Sequence, residues 1–349
     1  MFDPTDLLRP HLKGLVPYSS ARDDYQGKEG VFLDANENPI GSITKEDWNR
    51  YPDPYQVALK KKIAEIKSVN WEYIFLGNGS DEPIDLLFRA FCEPHQDNVI
   101  INPPTYGMYQ VSADINGVES KKVLLTSDFQ LDSTGLLEAV DSHTKLIFIC
   151  SPNNPTGNDV AVEQVELVLK NFKGLVVMDE AYIDFADRSS WINSLEEYPN
   201  LIVLQTFSKA WGLASLRLGM AFASKEIIQI LNKIKPPYNL SGLTQQTVLE
   251  ALANHEEKDR MVDQIKQNRE RLKQGLEQLS GVNKVFPTDA NFFLVKMESN
   301  ATKVYHQLIE QKVIVRDRSR VVLCEEGLRI TVGTQKENDK LLNTLKYIL

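Results

Sequence analysis

Residues 200–219 read "NLIVLQTFSKAWGLASLRLG". An apolar run ends on polar residues, Lys209 stands two places past Phe207, a glycine-containing helix start follows, and Arg217 comes eight residues after the lysine. A short, nearly continuous apolar run of this kind is the mark of a strand buried on both faces, as in a parallel sheet covered by helices. The same pattern recurs in "DNVIINP" (97–103), "KKVLLT" (121–126), "TKLIFICSP" (144–152), "GLVVMDE" (174–180) and "LGMAFAS" (218–224). Helical patterns lie between, in "DEPIDLLFRAFC" (81–92) and "VEQVELVLKNF" (162–172), which supplies the crossovers that parallel strands need. A long helical stretch over roughly 243–280 leads to three further strands, "ANFFLVKM", "KVIVRD" and "GLRITVG", around a helix at 302–311. The expected fold is α/β: an N-terminal arm over 1–30, a large domain over 31–258 with a mostly parallel sheet flanked by helices, and a smaller α+β domain over 259–349.

Composition narrows the function. With 349 residues, 42% of them hydrophobic and 25% charged, the chain has the make-up of a globular protein with a sizeable core. A net charge of −9 argues against nucleic acid as partner, since phosphate binding needs a basic surface. Cys92, Cys150 and Cys324 are scattered without a CxxC pair, which fits a reducing compartment and no disulfide framework. The five histidines, at 11, 95, 143, 255 and 306, show no metal-ligand spacing, so no metal is expected. No signal-peptide pattern and no apolar run long enough for a membrane span are present, so a cytoplasmic home without membrane contact is expected.

Ligands of open α/β sheets gather beyond the carboxyl ends of the strands. The polar residues standing there are Tyr106 in "PPTYGMY", Asn154 in "CSPNNPTG", Asp179 and Tyr182 in "MDEAY", and Ser208 with Lys209. Ahead of the first long helix, "LGNGSDEP" (76–83) is a glycine-containing turn that offers backbone N–H groups to an anion. Each feature alone has an ordinary reading as a cap, a turn, a buried aromatic or a solvated lysine. Together they match the needs of an aldehyde-bearing pyridine phosphate: an amine, an acid for the ring nitrogen, donors for the phenolate oxygen and a phosphate cup.

"SPNNPTG", "DEAY" and "TFSKAWGLASLRLG" resemble the class II pyridoxal-phosphate aminotransferases of the aspartate aminotransferase fold (fold type I), and the likeness spans essentially the whole chain. Within that superfamily, "PYSSARDDY", "LDANENP", "RYPDPY", "GNGSDEPIDLL", "VIVRD" and "GLRITVGT" are similar to the histidinol-phosphate aminotransferases. The resemblance implies pyridoxal 5'-phosphate as cofactor, joined to Lys209 as a Schiff base, with Lys209 then moving the proton at the substrate's Cα. It further implies Asp179 at the pyridinium nitrogen, Asn154 and Tyr182 at the ring oxygen, and Tyr106 on the ring face. Ser80, Asp81, Ser208 and Arg217 would form the phosphate cup, with Thr206 a weaker candidate because it could simply face the core. Tyr51 would reach a neighbouring subunit's cofactor phosphate, which implies a homodimer with shared sites. Arg329 and Arg316 would bind the substrate anion, and Tyr18 and Asn36 would line that pocket.

The reaction so implied exchanges an amino group between histidinol phosphate and 2-oxoglutarate. Arg316 is followed by "DRSR", so it also reads as one of several solvated arginines, and "SRVVLCEEG" (319–327) carries no pattern that assigns it a role. Phosphothreonine decarboxylases and aromatic-amino-acid aminotransferases share the motifs and stay as alternatives. A ligand-sensing module fused to a DNA-binding domain is disfavoured by the lack of a helix-turn-helix segment and by a pI near 5.3.

Overall fold

The computed structural model describes residues 2–18 and 30–349. Its large sheet has seven strands: β1 (Ile74–Asn78), β2 (Asn98–Ile101), β3 (Glu119–Lys122), β4 (Thr144–Cys150), β5 (Leu175–Asp179), β6 (Leu201–Thr206) and β7 (Leu218–Phe222), in the order β1-β7-β6-β5-β4-β2-β3. From β3 across to β6 the neighbours pair in parallel, whereas β7 runs antiparallel to both β6 and β1.

Side-chain alternation explains the continuous apolar runs. Ile147, Ile149, Val176, Met178, Leu201 and Val203 enter one buried cluster, while Leu146, Phe148, Leu175, Val177, Ile202 and Leu204 enter another on the opposite face. Both faces are dry over the middle of these strands, so polar residues such as Lys145 and Gln205 are left to the strand ends. The helix Asp81–Phe91 seats Ile84, Leu87, Phe88 and Phe91 on the second face, and Val162–Asn171 seats Val165, Val168 and Leu169 on the first.

A second, wholly antiparallel sheet contains β8 (Val282–Val285), β9 (Phe292–Met297), β10 (Arg316–Asp317) and β11 (Gly327–Thr331), in the order β10-β11-β9-β8. The helices His255–Glu277, Ala301–Glu310 and Gln335–Ile348 close one face of it around Leu272, Leu308, Leu341, Phe293 and Leu328. Phe292 and Leu294, pointing the other way from β9, join the first cluster of the large sheet. The two sheets are thus bound through shared core, and the polar ends of β4–β6 face the edge formed by β10 and β11.

Several elements differ from the sequence expectation. The run at 121–126 is paired only as far as Lys122. Beyond it Val123 and Leu125 still donate to Ile101 and Pro103 carbonyls, but the partner chain there is Pro103–Pro104, which has no N–H to return. The helical stretch from 243 is two helices, Gly242–Leu252 and His255–Glu277, because Asn254 leaves helical geometry at φ −111° and ψ 34°. The expected boundary at 258, which the sequence already places within a helix, lies in the second of these. β1 reads as a turn in the sequence because it ends in Gly77 and Asn78, yet its first four residues are fully buried. Residues 2–13 pack on this chain itself, with Leu8 in the core and the Arg9 amide donating to the Ala90 carbonyl. Among the described residues, no helix is long and apolar enough to cross a membrane, and no cluster of metal-ligating side chains occurs.

Candidate active site

The carboxyl ends of β4, β5 and β6, the turn after β1 and the β10–β11 edge enclose a pocket of about 680 Å³. Asp179, the last residue of β5, lies at its floor and is 2% exposed. Its Oδ2 accepts from the Tyr109 hydroxyl at 2.6 Å and its Oδ1 from the Ala181 amide at 3.1 Å. Burial pushes its carboxyl up to about 6, more than these hydrogen bonds and the positive Lys209 can offset. No cation stands within ion-pair distance of it among the described residues.

Lys209 follows β6 by three residues, and its Nζ lies 5.5 Å from the centre of the Tyr182 ring. Its ammonium is held below the usual lysine range by burial first and by Arg329 second, with Asp179 opposing. Tyr182 is buried edge-on against Phe292 at 5.1 Å, and burial raises its phenol. Asn154, on the loop after β4, accepts at Oδ1 from Arg329 Nη1 at 2.5 Å, which leaves its amide NH₂ as the donor it can offer a ligand.

At the other end lies a donor cradle. Gly79 turns at φ +70°, and the helix Asp81–Phe91 begins with Ser80 as a cap whose hydroxyl makes no capping bond. Arg217 Nη1 donates to Ser208 Oγ at 3.4 Å, its Nη2 lies 3.5 Å from Asp81, and its carbonyl accepts from the Gly79 amide at 2.6 Å. Arg217 itself sits at φ +52°, a left-handed conformation that costs a non-glycine residue about 1 kcal/mol or more and tends to persist at functional sites. Thr206 does not face the core: its hydroxyl donates to Ser208 Oγ at 3.1 Å and accepts from the Ser208 amide. Tyr106 donates to Asp81 Oδ1 at 3.1 Å and meets the edge of Tyr109 at 5.6 Å. The crowding is severe: a Cβ on Gly219 of β7 would lie 2.2 Å from the Gly79 carbonyl carbon, and one on Gly79 would lie 2.6 Å from Arg217 Nη2.

Backbone N–H groups, two serine hydroxyls and a guanidinium at one end, an amine in the middle and a buried carboxylate at the other form a set that fits a phosphorylated, aldehyde-bearing pyridine. Twelve of the fifteen residues expected from the sequence line this pocket. Tyr18, Asn36 and Tyr51 do not. Tyr18 is 72% exposed and borders a separate small cleft with Tyr55, Lys235 and Tyr238. Tyr51 stacks on Tyr238 at 4.5 Å, and Asn36 is a left-handed turn residue at φ +54°. The motif at 17–25 lies mostly outside the described residues.

Residues 24–345 match the family model of the class I and II aminotransferases. A protein of Cytophaga hutchinsonii named histidinol-phosphate aminotransferase is 55% identical over 99% of both chains. The chain belongs to the histidinol-phosphate aminotransferase family. A relative of the same name from Christiangramia forsetii is 52% identical over 99% of this chain and 98% of its own. The crystal structure of the histidinol-phosphate aminotransferase from Sinorhizobium meliloti, in complex with pyridoxal-5'-phosphate, superposes with a TM-score of 0.80 at 25% identity, covering 90% of this chain and 89% of that one.

Three parts of this aminotransferase pocket were not foreseen from sequence. Tyr109 is the second residue of the helix Met108–Ile115, and Tyr106 stands just ahead of that helix, outside its periodicity. Arg318 stands two residues after Arg316, so strand alternation sends both to one side. Behind Asp179, the fully buried Glu180 accepts from Arg188 Nη1 at 2.8 Å, and Arg188 also donates to Asp159 at 3.0 Å and to the Ser151 carbonyl at 2.9 Å. That junction ties the end of β5 to the loop carrying Asn154, and no sequence motif announces it.

Proposed function

We propose that this chain exchanges the amino group between L-histidinol phosphate and 2-oxoglutarate, giving imidazole acetol phosphate and L-glutamate. The reading includes pyridoxal 5'-phosphate as cofactor and a cytoplasmic homodimer with shared sites. The observation that carries it is one pocket with a buried uncompensated carboxylate, a lysine, an anion cradle at one end and arginines at the other. The relatives at 52–55% identity support the same substrate.

In this reading Ser80, Ser208, Arg217 and the backbone N–H of Asp81 hold the cofactor phosphate; the Asp81 carboxylate, paired to Arg217, stays clear of it. Thr206 steadies Ser208. Asp179 binds the ring N–H, and the positive charge there removes the cost of its burial. Asn154 and Tyr182 donate to the ring oxygen, and Tyr106 covers the ring face. When bound, the cofactor supplies an aldehyde that carries the amino group and a ring that takes up the electron pair left at the substrate's Cα. Lys209 would take the proton from that Cα and deliver it to the cofactor's aldehyde carbon, two bonds away across the amino nitrogen, and its lowered basicity favours that role. Arg316 and Arg329 bind the substrate anion, with Arg329 also serving the glutamate carboxylate. Tyr51, with Tyr18 and Asn36, serves the partner's site; the strongly exposed Val31, Leu33, Ile40 and Ile43 nearby support such an interface.

The test is a spectrum of the purified protein titrated with histidinol phosphate and then with 2-oxoglutarate. The expected result is loss of the cofactor's visible band and its return. Release of CO₂ in place of amino transfer would overturn the reading in favour of a decarboxylase.

A further inference from the structure

Arg316 on β10 pairs directly with Arg329 on β11, so the two side chains leave the small sheet on one face. The ladder continues one step past β10, where the Arg318 amide donates to the Gly327 carbonyl at 2.8 Å. Alternation therefore sends Arg318 to the same face, and all three arginines line the pocket. Asp317, between them in sequence, points the other way: it accepts from Thr302 of the helix Ala301–Glu310 at 2.9 Å and from the Ser319 amide at 2.8 Å. Its carboxylate is engaged there, ion-pairs with none of the three arginines and offsets little of the burial and repulsion felt by Arg318. Among the described residues none of the three is ion-paired to a carboxylate, and the buried Nε of Arg318 makes no hydrogen bond. Burial, then Arg329 and Arg316, hold the Arg318 guanidinium below its usual range.

Like charges crowded on one wall with a buried donor left over need an anion of more than one charge. The backbone beneath is fixed in advance. Val321 donates to the Arg318 carbonyl, Cys324 to that of Val321 and Gly327 to that of Cys324, at 2.9, 2.9 and 2.8 Å, and the Cys324 side chain is buried in the large core. A glutamate carboxylate is satisfied by one guanidinium fork. A phosphate monoester carries about −1.5 to −2 charge at pH 7 and three acceptor oxygens, which is more than Arg316 and Arg329 can meet while Arg329 also holds Asn154.

We propose that Arg318 is a third ligand of the substrate phosphate and the residue that sets the preference for a phosphate over a carboxylate substrate. This rests on the substrate reading above. The experiment measures kcat/KM of holoenzyme, wild type, Arg318→Gln and Arg318→Lys, with histidinol phosphate, histidinol and glutamate, together with competitive inhibition by inorganic phosphate. Arg318→Gln should lower kcat/KM for histidinol phosphate by about tenfold or more beyond any loss with the other two substrates, as expected for one charge-assisted bond. Inhibition by phosphate should weaken in parallel, and Arg318→Lys should recover only part of both. Equal losses with all three substrates, or unchanged phosphate inhibition, would assign Arg318 to loop structure and overturn the proposal. Wild-type enzyme that uses histidinol as well as its phosphate would instead overturn the substrate reading, and this role with it.

Discussion

Lys209 and Asp179 differ in how far their surroundings matter. Any strand-end lysine can be read off the chain, but only one partly desolvated in the pocket and facing the charge of Arg329 has its ammonium destabilised. On the proposed reading, Lys209→Ala removes both the cofactor's covalent partner and the group that moves the Cα proton. Turnover should fall by more than the roughly 10²–10⁴-fold of a lone acid–base group, and borohydride should no longer fix cofactor to the protein. A variant with half its activity would exclude Lys209. Asp179 makes a pH prediction. Its folded value of about 6 lies above the unfolded 3.8, so its stabilising contribution is fully present below pH 4 and is lost as pH rises through 6. The shift corresponds to about 3 kcal/mol at neutral pH. In cofactor-free protein, the unfolding free energy of wild type relative to Asp179→Asn should therefore fall by about that much between pH 4 and 7, measured in urea. A flat difference would mean that water reaches the carboxylate.

At the scale of elements, the β1 turn and β7 form the cradle by close approach. Residue 219 is glycine because the Gly79–Ser80 backbone occupies the place of its side chain, at 2.2–2.6 Å. Flexible side chains cannot yield there, since the obstructing atoms are main chain. Gly219→Ala should cost about 1–3 kcal/mol of stability, like other forced overpacking, and should weaken cofactor retention by opening the turn. Urea midpoints and cofactor release on dialysis would check this; wild-type retention would show that the cradle tolerates displacement. Strand identity in this region was readable, as in "NLIVLQT", because burial on both faces leaves only apolar choices. β1 was not, because a glycine and an asparagine at its end mimic a turn. The run at 121–126 misled for the opposite reason: its apolar side chains are needed for the core, but its partner's prolines deny it a ladder.

For the whole molecule, the residues left outside the pocket bear on assembly. Tyr51 is 50% exposed and lies beside a cleft separate from the pocket of its own chain. If it completes a second subunit's site, a Lys209→Ala protein mixed with a Tyr51→Phe protein forms hybrids with one fully native site. Activity should recover on mixing to about a quarter of wild type from statistical pairing, read against each variant alone. Absence of recovery, with hybrids demonstrated by mass, would return Tyr51 to its own subunit's chemistry.

By itself the sequence determined the α/β class, the order of the strand-end residues and the chemistry they serve, because a buried parallel sheet and a phosphorylated cofactor each restrict residue type at fixed spacing. Asn154, Asp179, Tyr182 and Lys209 were legible for that reason. Only the tertiary structure decided which charges meet. The Tyr109 hydroxyl on Asp179, Arg188 on the Ser151 carbonyl beneath the Asn154 loop and the charge of Arg329 acting on Arg318 are interactions between different elements. Hydrogen-bond geometry and desolvation depend on those distances across the fold, and local sequence spacing carries no record of them.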